Sequence, residues 1–269
     1  MGAVEQLEGW SAGYAAVAVT DEDGVVARFG LPDRRIAWAS VTKLLTATAV
    51  LVAAEEGVVD LDEPAGPPGS VVRHLLAHAS GLPFEGSAPI AAPGERRIYS
   101  NAGFDVLGEL LAARAEMPFE LYLGEAVLAP LELGDTELRG RPSEGLAGSL
   151  ADLVTFGREL LNPSLVAAET LAEATTVAFP GLDGILPGIG RQSPNDWGLG
   201  FELRNAKNPH WTGSRNSPRT FGHFGGSGTF LWVDPEVGLA CACLTDREFG
   251  NWALEAWPAL SDAVLAELA

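Results

Sequence analysis

Both ends of this chain are written in β-texture, and the long stretch between them is not. Near the start, YAAVAVT and GVVARFG flank Asp21 to Gly24, whose Asp-Gly step is a strong hairpin signal between two β-rich runs. From Trp197 the runs WGLGFELR, GTFLWVDP and GLACACLTD are β-rich again and separated by turn residues. Strands need partners, so the simplest assembly places the first hairpin and the last three strands in one antiparallel sheet. The middle of the chain is then an excursion that leaves this sheet and returns to it.

The texture of the excursion is helical. AWAS leads into VTKLLTATAVLVAAEEG, apolar on nearly every face and ended by Gly57, the pattern of a buried helix with a glycine C-cap; Ser40 falls at its start. After Leu61, a loop of Pro64, Pro67, Pro68 and Gly69 gives way to short helical patterns over 71–79, 101–115, 119–127, 151–161 and 164–174. The tail, 252–269, spaces Trp257, Leu260, Val264 and Leu268 as one face of an amphipathic helix. A chain of 269 residues buries roughly three quarters of its unfolded surface. The expectation is a single α/β (α+β) domain over 1–269. Its antiparallel sheet lobe comprises 1–62 and 190–269, flanked by the tail helix and the Ser40 helix, and the inserted all-helical lobe is 63–189.

Charge and composition exclude several function classes. Seventeen Lys and Arg against 36 Asp and Glu give a net charge of −19, which disfavours nucleic acid and anionic membrane surfaces as partners. The longest apolar run, Leu44 to Ala54, is interrupted by Thr46 and Thr48 and is far shorter than the ~20 residues of a spanning helix. The first residues, MGAVEQLEGW, lack the basic and apolar regions of a signal peptide, so the sequence as given is expected to be cytoplasmic. Cys241 and Cys243 stand two apart in LACACL, on one face of a strand, and read as buried free thiols. His74 and His78 are four apart on a helical pattern, but no His-Glu-x-x-His and no third ligand beyond Glu85 stands near, so no metal is expected. One Gly-x-Ser-x-Gly, at Gly9 to Gly13, lacks the strand before it and the helix after it that a nucleophile elbow requires.

Lysine is the informative scarcity. With two lysines and 14 serines, about 0.1 Ser-x-x-Lys matches arise by chance. The one present is Ser40-Val41-Thr42-Lys43. Three residues are nearly one helical turn, so serine and lysine lie on one face within reach. A serine hydroxyl is a poor nucleophile until a base takes its proton, and a helix N-terminus and a nearby ammonium favour the alkoxide. A second segment, Arg97-Ile98-Tyr99-Ser100-Asn101, precedes a helical pattern. An ammonium lowers the pKa of a neighbouring phenol, which makes Tyr99 a candidate general base, and Asn101 offers amide donors and an acceptor. A third, Phe221-Gly222-His223-Phe224-Gly225-Gly226-Ser227-Gly228, opens the strand GTFLWVDP with glycines that allow close backbone approach, so a backbone N–H there can pair with that of Ser40 around an oxyanion.

These three segments together resemble the serine β-lactamase and penicillin-binding-protein superfamily, in the branch of class C β-lactamases, D-amino-acid peptidases and related esterases. Its motifs Ser-x-x-Lys, Tyr-x-Asn and Lys/His-x-Gly stand here in order as Ser40 to Lys43, Tyr99 to Asn101 and His223 to Gly225. Leu75 to Pro83, with His78 in a turn-stabilising role, and Trp197 to Gly200 also look like the family. The resemblance implies Ser40 as the acylated nucleophile, Lys43 as supporting its deprotonation electrostatically or by proton relay, Tyr99 as the general base for acylation that then activates the deacylating water, and an oxyanion hole from the N–H groups of Ser40 and Gly226. It implies that Asn101, His223, Gly225 and Gly226 bind substrate, with no metal or organic cofactor. Which of Lys43 and Tyr99 takes the first proton stays open, since coupled groups titrate as a pair. The third motif departs from the antibiotic-hydrolysing pattern: His223 is not a permanent cation and Phe224 carries no hydroxyl. The expected activity is therefore a serine hydrolase acting through an acyl-enzyme on small-molecule esters or amides, an esterase or D-amino-acid peptidase. The alternatives are a β-lactamase or D-alanyl-D-alanine carboxypeptidase, and an acylated sensor that does not turn over.

Overall fold

The two β-textured ends meet in a single sheet. The computed structural model describes residues 2–269, so of the segment 1–62 only Met1 lies outside the described residues. In chain order the strands are β1 (Ala15–Thr20), β2 (Val25–Phe29), β3 (Ile36–Ala37), β4 (Glu137–Leu138), β5 (Leu146–Gly148) and β6 (Gly184–Leu186). They continue with β7 (Gly190–Gln192), β8 (Glu202–Leu203), β9 (Phe221–Gly225), β10 (Thr229–Asp234) and β11 (Leu239–Thr245). The helices are α1 (Thr42–Glu55), α2 (Val72–Leu76), α3 (Asn101–Ala115), α4 (Phe119–Leu123), α5 (Leu150–Leu161), α6 (Ala168–Ala174) and α7 (Asn251–Leu268), and a 3-10 turn over Ala39–Val41 leads into α1.

Six strands form one antiparallel sheet in the order β2-β1-β11-β10-β9-β8, with β3-β5-β4 and β6-β7 as two small satellites. Residues paired across antiparallel strands share a face. The pairs Val17–Cys243–Phe230 and Val19–Cys241–Trp232 form one face, packed with Trp257, Leu260 and Val264 of α7. The tail helix thus lies where its spacing predicts, and both thiols are free and buried on that face. Ala16, Ala18, Leu231, Val233, Ala240 and Ala242 form the other face and merge with the larger core around α1.

The helix on that second face is not the one expected. Sequence texture places Leu150–Leu161 in the inserted lobe and lays the Ser40 helix on the sheet, whereas α5 packs directly against β1, β10 and β11 and α1 touches the sheet at β9. Small side chains decide it. Alanines at four positions of β1 and β11 leave a shallow surface, and a Cβ at Gly157 of α5 would stand 3.0 Å from Leu231 and 3.3 Å from Ala240. The α1 helix is instead enclosed by α3, α4 and the helical turn Gly124–Leu128 and meets the sheet at β9, which is why it is apolar on all sides.

Three further expectations need correction. WGLGFELR contributes only the two residues of β8, because Gly198 and Gly200 thread past the carbonyl of Ala174 and the side chain of Ala47 with no room for a Cβ. The sixth strand is β9, where the residues alone suggest a glycine-rich opening to the next strand. The pattern over 164–174 shortens to α6, since the Glu159 carboxylate accepts from Ser164 N, Ser164 Oγ and Leu165 N at 2.7–2.8 Å and holds them in a turn. No helix among the described residues is long and apolar enough to cross a membrane.

Gly157→Val is expected to lower stability by about 1–3 kcal/mol through overpacking against Leu231. Thermal unfolding followed by circular dichroism checks this, with Gly124→Ala, whose Cβ meets nothing within 4 Å, as the variant that is not destabilised.

Candidate active site

The first turn of α1 is set by strain and by a close backbone approach. Ala39 holds φ at +45°, a conformation unfavourable for a residue with a Cβ. It persists because the preceding Trp38 is fully buried and its carbonyl accepts from Thr229 Oγ1 at 2.9 Å and Val41 N at 3.1 Å. Strand β9 lies directly over this turn, where a Cβ at Gly225 would stand 2.4 Å from the Trp38 oxygen. The result presents Ser40, half-buried, between α1 and the edge of β9.

Behind Ser40 the Lys43 side chain is fully buried. Its Nζ lies 3.2 Å from Ser40 Oγ, 2.7 Å from Asn101 Oδ1 and 2.8 Å from the Ser143 carbonyl. Asn101 is oriented by two carboxylates that can only accept, its Nδ2 donating to Glu85 at 3.0 Å and Glu144 at 3.2 Å, so Oδ1 faces the lysine. Burial is the dominant influence on Lys43 and brings its pKa down to about 7, against the opposing pull of Glu144 and Asp105. A neutral amine has two N–H groups and one lone pair. Both N–H groups are claimed by obligate acceptors, Asn101 Oδ1 and Ser143 O, which leaves the lone pair to the Ser40 hydroxyl.

Tyr99 and His223 close the other side. His223 Nδ1 lies 2.6 Å from the Phe224 carbonyl, so Nδ1 carries the proton; burial first, and Lys43 second, push its pKa down to about 3 and keep the ring neutral. Its Nε2 is then an acceptor, and the Tyr99 hydroxyl 3.3 Å away donates to it. Burial pushes the Tyr99 phenol well above its ordinary pKa, with the Ser40 hydroxyl working in the opposite direction. The phenol therefore stays protonated, which reverses the expectation that a neighbouring ammonium makes Tyr99 acidic. Two things defeat that expectation: burial outweighs the pull of the Ser40 hydroxyl, and burial likewise lowers the pKa of the lysine.

Comparison with known proteins shows the family. The profile of the beta-lactamase family matches residues 4–265. The chain belongs to the beta-lactamase family. The crystal structure of a beta-lactamase from Mycobacterium bovis is 57% identical, covers 99% of each chain and superposes with a TM-score of 0.98. Simvastatin synthase (LovD) from Aspergillus terreus shares the fold at 19% identity, with a TM-score of 0.81 over 98% of this chain and 93% of its own. In sequence, D-alanyl-D-alanine-carboxypeptidase/endopeptidase AmpH from Escherichia coli K12 is 29% identical over 143 residues, which are 39% of this chain and 37% of that protein. The chain thus matches well under half the length of that curated relative.

Within this beta-lactamase-family fold the expected residues divide. Ser40, Tyr99, His223 and Gly226 line one pocket of about 180 Å³, walled otherwise by Glu202 and by apolar side chains such as Phe84, Trp197 and Phe249. Lys43 and Asn101 stand behind the serine, outside that lining. Asn101, expected to bind substrate, spends its amide on Lys43 and the two carboxylates, and the N-cap of α3 is Ser100, whose Oγ accepts from Gly103 N. Gly225 is also no pocket residue: its role is the close approach of β9 to Trp38. Strand alternation turns His223 toward Ser40 and Phe224 toward Phe249 and Trp257 beside α7. His78 sits in a left-handed turn, accepts from Ser100 N at Nδ1, and packs on the rings of Tyr99 and Trp197, which fixes the Tyr99 ring. His74 is apart from it, stacked on Phe179, and no cluster of three metal-ligating side chains occurs among the described residues.

Two groups escape a reading of the sequence. Arg141 collects Glu85, Asp105 and Glu144 into an ion cluster above Lys43. Below the pocket, Glu202 is buried and holds Lys207, His210 Nε2 at 2.9 Å and Trp211 Nε1 at 2.9 Å; opposing charges on Lys207 and His210 outweigh burial and keep its carboxyl at about 2. The available signal was Lys207, the second of two lysines, in the irregular stretch 206–220.

Gly225→Ala is expected to cost about 1–3 kcal/mol by forcing β9 away from the Trp38 carbonyl. Chemical denaturation checks this against Gly226→Ala, where an added methyl meets nothing within 4 Å.

Proposed function

We propose that the chain is a serine hydrolase working through an acyl-enzyme on ester or amide bonds that carry no charge beside the scissile carbonyl. The observation that carries this reading is the charge inventory of the pocket. Of the side chains lining it, only Glu202 is ionised, and it is anionic; Lys43 is hidden behind Ser40 and His223 is neutral. A permanent cation to hold a β-lactam or peptide carboxylate is not part of that wall.

In this reading Ser40 Oγ attacks the carbonyl carbon while its proton passes to the lone pair of Lys43. The N–H groups of Ser40 and Gly226 hold the oxyanion. Tyr99, kept protonated and oriented by His223 Nε2, hands a proton to the departing oxygen or nitrogen and is reprotonated by the proton that Lys43 took from Ser40. Water then attacks the acyl-enzyme by the reverse proton path. Asn101 acts as a positioning residue, aligning Lys43 without touching substrate. A second reading, β-lactam hydrolysis, rests on the Mycobacterium bovis relative named a beta-lactamase, and one assay separates the two.

Intact-mass measurement with an activated ester is expected to show a transient adduct absent in Ser40→Ala, and p-nitrophenyl esters are expected to be hydrolysed faster than nitrocefin or a D-alanyl-D-alanine peptide. Faster nitrocefin turnover sinks the neutral-substrate reading, and an adduct that survives Ser40→Ala sinks the nucleophile.

The pH profile has a defined sign. Lys43 accepts a proton only when neutral, so kcat/KM rises as pH increases through about 7. Glu144 raises the Lys43 pKa, so Glu144→Gln moves the midpoint to lower pH. Lys43→Met is expected to cut kcat about 10²–10⁴-fold, the usual worth of a positioned base, as steady-state kinetics would show.

A further inference from the structure

A second cleft, of about 730 Å³, adjoins the Ser40 pocket and is four times its size. The two share three walls, Phe84, Tyr99 and Pro187. Its mouth is apolar where a protein surface seldom is: Phe84, Ile90 and Ile185 are 51%, 56% and 66% exposed, and all three face this one cleft. Its charge is also the reverse of the protein's. Arg96, Arg97 and Arg191 line it with a single carboxylate, Asp183, in a chain of net charge −19. Asp183 is paired with Arg191 at 3.0 Å. Arg97 is buried and donates to four backbone carbonyls. Arg96 donates only to the Ile90 carbonyl, at 2.9 Å, and holds no carboxylate among the described residues.

We propose that this outer cleft is the leaving-group subsite, and that it takes a bulky apolar alcohol, amine or thiol portion whose far end carries an anion paired with Arg96. The inference rests on the acyl-enzyme reading above. Its logic is one of position. The acyl carbon becomes bonded to Ser40 Oγ, and Ser40 and Gly226 line the small inner pocket alone, so the acyl group belongs there and is limited by 180 Å³. Tyr99 is the one catalytic side chain that faces both spaces. As Ser40 bonds to the carbonyl carbon and the bond to the leaving atom breaks, that atom takes the phenol proton, so the group it carries extends past Tyr99 into the outer cleft. A carboxylate beside the scissile bond meets Glu202 and no cation in the lining; one several bonds away meets the Arg96 guanidinium.

Acetyl thioesters of ethanethiol, hexanethiol and 6-mercaptohexanoate, with thiol release read colorimetrically, test this directly. Each buried methylene is worth about fourfold, so kcat/KM is expected to rise at least tenfold from the ethyl to the hexyl thioester, and about threefold further when the hexyl chain ends in a carboxylate. Lengthening the acyl group from acetyl to hexanoyl on ethanethiol should give no such rise. Ile185→Glu should pull the hexyl-to-ethyl ratio toward one, and Arg96→Ala should abolish the carboxylate preference; both are ratios within one variant, so loss of folded protein cancels. A gain that follows the acyl chain, or ratios untouched by both variants, overturns the proposal. Turnover that persists in Ser40→Ala, or inert thioesters throughout, overturns the acyl-enzyme reading and this inference with it. Ser40-dependent turnover with no leaving-group preference overturns the inference alone.

Discussion

An amine buried without a counter-charge in contact is the condition on which the site depends. Lys43 has no exposed atom and no carboxylate within ion-pair distance; its partners are a hydroxyl, an amide oxygen and a backbone carbonyl. Charge in such a place is costly, so the proton is held weakly. The rest of the architecture serves that condition. Helix α1 is apolar on every side because it carries this lysine into the centre of the larger core, and Asn101 and Phe104 of α3 together with Ser143 from a separate stretch of chain enclose the amine. The carboxylates of Glu85, Asp105 and Glu144 stop one layer further out, tied to Arg141, where they modulate the lysine without neutralising it.

The same burial organises the opposite wall. Tyr99 and His223 form a donor–acceptor pair whose direction is dictated by one short contact, His223 Nδ1 to the Phe224 carbonyl. With that proton fixed, the imidazole can only accept from the phenol. In the proposed mechanism this separates two tasks that the motif Tyr-x-Asn leaves merged: the lysine receives a proton, and the tyrosine keeps one to give.

What was legible in the sequence followed from local rules. The Asp-Gly hairpin, the tail helix and the one-turn spacing of Ser40 and Lys43 depend on neighbours within a few residues, and each lies where its spacing places it. What was not legible depends on contacts across long separations. That α5 rather than α1 covers the sheet turns on four alanines in two distant strands and one glycine. Gly225 reads in sequence as room for a ligand, and in space the room is taken by the Trp38 carbonyl, 187 residues earlier. The protonation states escape for a related reason: proximity of Lys43 and Tyr99 is visible in the motifs, but the depth of burial that decides which of them is charged belongs to the assembled core.

Both lysines of the chain are inside the protein, Lys43 beside Ser40 and Lys207 against Glu202. Every side-chain cation on the outside is therefore an arginine or histidine, and the folded surface offers no side-chain amine to acetylating, conjugating or cross-linking chemistry. An amine-directed label that appears on a lysine has either entered the site or caught the molecule open, which makes lysine labelling a direct gauge of how often this interior is exposed.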